Sequence, residues 1–137
     1  MTDGATPDFL VVELGQGPAA AYCGWMFAQA GHEVVLVEPP GGHPLRSPGE
    51  GSRAGAGAAF LTLASAKRSV AVDLATASGR ESLHRLLRAA AVLVTDSPQL
   101  LDEAGITAPP PRDPLPAVEK HEIRLVAWLA VHGTRGT

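Results

Sequence analysis

Cysteine is all but missing from this chain. Cys23 stands alone among 137 residues, which excludes an internal disulfide and any zinc cage built on several thiolates. Long apolar runs are missing as well: none approaches the ~18 residues that a spanning helix needs, so no membrane is expected as a partner. The opening residues lack the basic-then-apolar order of a secretion signal, and the expected compartment is the cytoplasm. An excess of positive charge is also lacking. Lysine and arginine number 11 against 14 acidic residues, and they are scattered, so no nucleic-acid footprint is expected. The histidines at 32, 43, 84, 121 and 132 show no i, i+4 pairing and no carboxylate at ligand spacing, so no metal is expected; His121 and His132 read as surface residues. Glycine and proline are plentiful, at 15 and 12 residues, but without a period, which excludes collagen-like and wholly disordered readings. What remains is a single domain over residues 1–137, able to bury roughly two thirds of its unfolded surface.

The apolar residues that are present fall into five β-branched runs, at 9–14, 33–38, 69–74, 91–95 and 124–131. Most are continuously apolar, the pattern of strands buried on both faces. Helical stretches are expected between them at 18–30, 58–66 and 78–90. The first ends at Gly31, a residue type that suits the position just past a helix. The third opens with Ser78 and Glu81 at capping-box spacing and places Leu83, Leu86 and Leu87 on one face. Strand and helix in alternation predict an α/β fold, a Rossmann-like open, mainly parallel sheet with flanking helices. Residues 39–57 read as a long loop and 107–116 as a proline-rich connector. The first helix, with Ala19-Ala20-Ala21-Tyr22-Cys23-Gly24-Trp25-Met26-Phe27-Ala28, is apolar almost all round. One small sheet covers only one side of such a helix, so a second domain or partner chain is expected on Tyr22, Trp25, Met26 or Phe27.

The first strand runs into Gly15-Gln16-Gly17-Pro18-Ala19-Ala20. This fits G-x-G-x-x-G/A, whose amides approach a pyrophosphate at a helix N-terminus. The second strand ends at Glu38, where a carboxylate is placed to accept from a ribose. These residues resemble flavin-binding enzymes and open an alternative reading, an FAD- or NAD-binding domain.

The segments that follow resemble another family. Glu38-Pro39-Pro40-Gly41-Gly42-His43-Pro44-Leu45-Arg46 is followed by Lys67-Arg68-Ser69, Asp73-Leu74 and Gly79-Arg80-Glu81. In order and content this set is similar to the family III CoA transferases (CaiB/BaiF), which include formyl-CoA transferase and α-methylacyl-CoA racemase. The similarity runs from about residue 11 to 136. It implies a Rossmann-like part that holds coenzyme A, with CoA or acyl-CoA passing near Gln16, Gly17, Pro18 and Ala19, then Lys67 and Arg68, then Asp96 and Ser97. Cations and free amides in these places would suit its phosphates. The resemblance also implies interlocked dimers, so the missing C-terminal domain or a partner chain, in a homo- or heterodimer, is an expected neighbour.

Three departures bear on CoA. The family's asparagine before Lys-Arg-Ser is Ala66. Its E-N-F-R-P-G stretch is Thr95-Asp96-Ser97-Pro98-Gln99, without the arginine, and a later arginine is Glu103. Losing cations and gaining a carboxylate weakens an anion site, so CoA binding, if retained, is expected to be weak. The resemblance further implies that transfer runs through an acylated aspartate, or racemisation through a His/Asp pair, beyond the glycine-rich segment at 132–137. No catalytic residue is therefore expected within the chain: Cys23, Ser65, Ser69 and the strand-terminal Glu13 and Asp73 receive no role. A non-catalytic interaction module is the further alternative.

Overall fold

The structure is a computed structural model that describes residues 8–46, 57–107 and, as backbone, 126–129. Its strands are β1 (Leu10–Glu13), β2 (Glu33–Glu38), β3 (Arg68–Ala71), β4 (Val92–Thr95) and β5 (Val126–Leu129); its helices are α1 (Pro18–Gln29), α2 (Ala58–Ala64), α3 (Ala77–Ala89) and α4 (Pro98–Glu103). They form one sheet in the order β3-β2-β1-β4-β5. The first four run parallel, with Val12 of β1 between Val35 and Leu93, while β5 pairs antiparallel to β4. This is the open, mainly parallel α/β sheet that the sequence predicts.

Burial explains the apolar runs. On one face, Val11, Val34, Val92 and Val94 pack with Ala20 of α1. On the other, Val12, Leu14, Val37 and Leu93 meet Leu83 of α3 and Leu101 of α4. Covered on both faces, β1 and β4 have no polar alternation to show. The third strand departs from expectation: it starts at Arg68, stops at Ala71, and all its residues are exposed. It is the sheet's edge, where short, charged strands are the rule.

Helix termini follow local chemistry. Pro18 opens α1 at a position where its missing N–H is not needed. Gly31, at φ +92°, closes it, with the amides of Gly31 and His32 donating to Ala28 and Phe27 carbonyls. The cap of α3 is Thr76, whose hydroxyl accepts from the Gly79 amide at 3.0 Å; the Ser78–Glu81 pair is not the cap, because the helix starts at Ala77. The sequence reading missed α4, although Ser97 as cap and Pro98 in the first turn are an ordinary start signal.

The inner side of α1 is small: Ala20, Ala21 and Gly24 are buried. Its outer side is not covered by the described residues. Tyr22 and Met26 are each 54% exposed, and Leu61 on the neighbouring α2 is 68% exposed. Residues 39–46 of the expected loop carry a single 3-10 turn, Pro44–Arg46; 47–56 lie outside the described residues, as do 108–116 of the connector and His121 and His132. Among the described residues no helix is long and apolar enough to cross a membrane.

Candidate functional site

Strand order fixes where a ligand is expected. The chain moves from β1 to β2 on one side and returns to β4 on the other. Loops after β1 and β4 therefore diverge, and a crevice at the carboxyl ends of the strands is the usual ligand position in open α/β sheets. The glycine turn and the Asp96-Ser97 pair meet there, although 80 residues separate them. Asp96 Oδ1 accepts from the Gln16 amide at 2.9 Å, and Oδ2 from the amides of Gly17 and Ala20, both at 3.1 Å. Charge-assisted bonds of this kind contribute about 1.5–3 kcal/mol each, and the head of α1 adds its dipole. A Cβ at Gly15 would lie 2.8 Å from Oδ1 and one at Gly17 2.9 Å from Oδ2. At Gly15 a Cβ would also come within 2.5 Å of the Ala20 Cβ, so close packing of turn on helix excludes a side chain there, while at Gly17 only the carboxylate would have to give. Ser97 is buried and caps α4, accepting from the Leu100 amide.

A crevice of about 230 Å³ opens beside this turn, walled by Gly15, Gln16, Pro39, Leu74, Leu100 and Glu103 among others. Gln16 and Glu103 are exposed. Its charged lining residues are Glu38, Asp73 and Glu103, all acidic. A second hollow of about 300 Å³, between α2 and β3, is lined by Arg46, Phe60 and Arg68, but both arginines are paired with glutamates.

Glu38 does not face a ribose. Its carboxylate receives Arg46 Nε and Nη2, each at 2.7 Å, the His43 amide at 2.8 Å and the Ser69 hydroxyl. The Arg46 fork holds its pKa down at about 2, burial acting in the opposite sense and Ser69 and the His43 amide assisting. Four donors leave it no capacity for a dinucleotide, which corrects the sequence-based placement of a ribose there. The cluster ties β2, β3 and the 3-10 turn together, and Arg46 also lies 4.4 Å over the Phe60 ring.

Lys67 and Arg68, expected at CoA phosphates, are placed elsewhere. Lys67 Nζ is buried, donating to Glu13 Oε2 at 2.6 Å and to the Ala21 carbonyl at 2.8 Å. It closes a buried ion pair beneath α1, against Gly24, where a Cβ would sit 1.9 Å from Glu13 Oε2. Arg68 starts β3 and pairs with Glu33 at the start of β2, the opposite end of the sheet from the crevice. Glu13 is wholly buried, with Oε1 unpartnered among the described residues; burial raises its pKa, against the pull of Lys67. His43 is buried too. Its Nδ1 accepts from the Leu45 amide, Nε2 has no hydrogen-bond partner among the described residues, and burial lowers its pKa. Burial likewise pushes the Cys23 thiol up, which disfavours the reactive thiolate. Of the eight predicted residues, the structure brings Gln16, Gly17, Pro18, Ala19, Asp96 and Ser97 to one place and leaves Lys67 and Arg68 out.

Residues 7–117 match the family described as CoA-transferase family III. The chain belongs to CoA-transferase family III. Over 101 residues it is 38% identical to succinyl-CoA–D-citramalate CoA-transferase of Chloroflexus aurantiacus, covering 72% of this chain and 25% of that protein. Over 95 residues it is 37% identical to succinyl-CoA:mesaconate CoA-transferase of Haloarcula hispanica, covering 66% and 24%. Among solved structures, a CaiB/BaiF family protein from Brucella suis superposes with a TM-score of 0.64 at 32% identity, over 73% of this chain and 28% of that one. A hypothetical protein from Mycobacterium tuberculosis gives the same TM-score at 29% identity, over 77% and 30%. The chain spans about a quarter of the length of the curated relatives it matches. The glycine turn thus belongs to a family III CoA-transferase fold.

Proposed function

We propose that this chain forms the coenzyme A-facing wall of a family III CoA-transferase that moves CoA between an acyl-CoA and a carboxylate. The observation that carries the reading is the position of the crevice. It lies beyond the carboxyl ends of β1, β2 and β3, next to the point where strand order reverses, in a chain whose family works on CoA thioesters. The exposed Gln16 and the turn at Gly17, Pro18 and Ala19 form one rim; Asp96 and Ser97 fix its shape rather than touching ligand. CoA binds weakly, since among the described residues the crevice offers its phosphates acidic side chains and no cation. Among the described residues none presents an activated nucleophile: Cys23 is held as a thiol and Glu13 is buried under Lys67.

The rest of the enzyme, or a second chain, covers Tyr22, Trp25, Met26 and Leu61. Alone, the 137 residues self-associate or bind a hydrophobic dye; a monomer in sedimentation with no dye binding contradicts this part.

The test of the CoA reading is a titration of the isotopically labelled chain with CoA and acetyl-CoA, followed by amide shifts. Saturable shifts at Leu74, Leu100 and Glu103 support it. Unmoved crevice amides at millimolar CoA refute it for this chain by itself.

A further inference from the structure

The structure assigns Asp96 the part of a built-in anion that closes the glycine turn to pyrophosphate groups, and so sets the turn's ligand selectivity against dinucleotides. A G-x-G-x-x-A turn ordinarily leaves the amides at the head of its helix aimed at a ligand. Here the amides of Gln16, Gly17 and Ala20 all donate to one carboxylate, at 2.9, 3.1 and 3.1 Å. The space above Gly17, which lets a phosphate come close in a nucleotide site, holds Asp96 Oδ2, and that above Gly15 holds Oδ1 beside the Ala20 Cβ. A carboxylate anchored at the end of β4 competes from within the molecule, at an effective concentration that a free nucleotide does not match. The second fixed point of a dinucleotide is closed independently, because Glu38 is filled by Arg46, His43 and Ser69. The inference does not rest on the CoA reading: a ligand in the crevice passes Gln16 without needing these amides, and the turn stays closed whether or not CoA binds.

The experiment is a titration of the labelled full chain with inorganic pyrophosphate and, separately, NADH, reading the amide shifts of Gln16, Gly17 and Ala20. In the wild type these amides stay in place with either ligand. In Asp96→Ala all three shift saturably with pyrophosphate, with apparent affinity at least about tenfold above wild type, since three donors and the helix dipole are released. A lost helix cap without an anion role would lower stability but would not create pyrophosphate binding. Asp96→Asn covers the case in which the alanine variant loses its dispersed spectrum. It keeps one oxygen for the amides, removes the charge, and binds pyrophosphate measurably more tightly than wild type. Wild-type amides that move with pyrophosphate or NADH overturn the inference, as does a folded Asp96 variant with no gain. CoA run in parallel separates the two readings: its failure leaves this result standing.

Discussion

Replacing Lys67 with alanine exposes what holds the sheet to α1. The lysine side chain is 2% exposed and its partner Glu13 is 0% exposed. Removal deletes the 2.6 Å ion pair and the bond to the Ala21 carbonyl, and leaves a carboxylate in the core whose Oε1 already has no partner among the described residues. Breaking such a pair from one side costs about 3–5 kcal/mol, against total stabilities of about 5–15 kcal/mol. The loss is pH-dependent in a defined sense. Glu13 has a folded pKa above its unfolded value, mainly through burial, and Lys67 is what opposes the rise. Without Lys67 the folded pKa climbs further. A carboxyl raised in this way lets the fold keep its full stability below about pH 4.5 and lose it as pH rises through the folded value. Lys67→Ala is therefore most impaired at neutral pH and regains part of the loss on acidification. Urea unfolding followed by tryptophan fluorescence at pH 7 and pH 5, wild type beside variant, measures it. A difference under about 1 kcal/mol at pH 7, or one that does not shrink by pH 5, refutes the argument. The double variant Glu13→Leu/Lys67→Met, which removes both charges, returns to within about 1 kcal/mol of wild type. Loss of CoA binding in Lys67→Ala would thus report unfolding and not a missing phosphate contact.

Glu38 titrates in the opposite sense: its pKa of about 2 lies below the ordinary 4.5, so its contribution is present above pH 4.5 and disappears as pH falls through 2. The full shift corresponds to about 3 kcal/mol, reduced to about 2 because Arg46 is half exposed; Glu38→Gln flattens this acid limb in urea midpoints taken between pH 5 and 2.5. Ala66 holds φ +63°, a left-handed conformation that costs a residue with a Cβ about 1 kcal/mol. Ala66→Asn, the residue type that the family pattern places there, raises stability by about 0.5–1 kcal/mol in the same assay, and unchanged or lower stability contradicts it. Glu103→Arg turns an exposed acid on the crevice wall into a cation and tightens CoA by about 5- to 10-fold at low salt, less at physiological ionic strength; calorimetric titration of both proteins decides it.

The parallel sheet was legible because β1, β2 and β4 are buried through most of their length and therefore carry continuous apolar runs. The edge strand was legible as a strand but not as an edge: Ser69-Val70-Ala71 carries no mark of its place, and only the pairing of β2 with both neighbours puts β3 outermost. Helix α1 was bounded correctly because Pro18 and Gly31 are local signals. The cap of α3 was misplaced by two residues, since Thr76 and Ser78 are equivalent as sequence and only the start of the helix separates them. The Lys67–Glu13 and Asp96–Gln16 contacts link residues 54 and 80 positions apart. No spacing rule reaches across such distances. Glu38 and Arg46 are eight apart, and their clamp was within reach, since a strand-end glutamate followed by a Pro-Gly turn and an arginine is a plausible ion pair as well as a ribose site.

Turn and crevice are adjacent but physically separable. The turn's amides satisfy a carboxylate of the chain, which makes them part of the fold; the crevice wall keeps exposed side chains, which makes it available to a ligand. Two substitutions pull these functions apart. Glu103→Arg changes the potential along the wall without touching the Asp96 bonds, so it strengthens CoA binding and leaves the turn closed to pyrophosphate. Asp96→Ala opens the turn to pyrophosphate and also removes an acid near the rim, but adds no cation to the wall, so its gain for CoA is smaller than its gain for pyrophosphate. Equal gains for both ligands in Asp96→Ala would mean that CoA's own pyrophosphate enters the turn, and the crevice would then have to be re-read as the seat of the rest of the molecule.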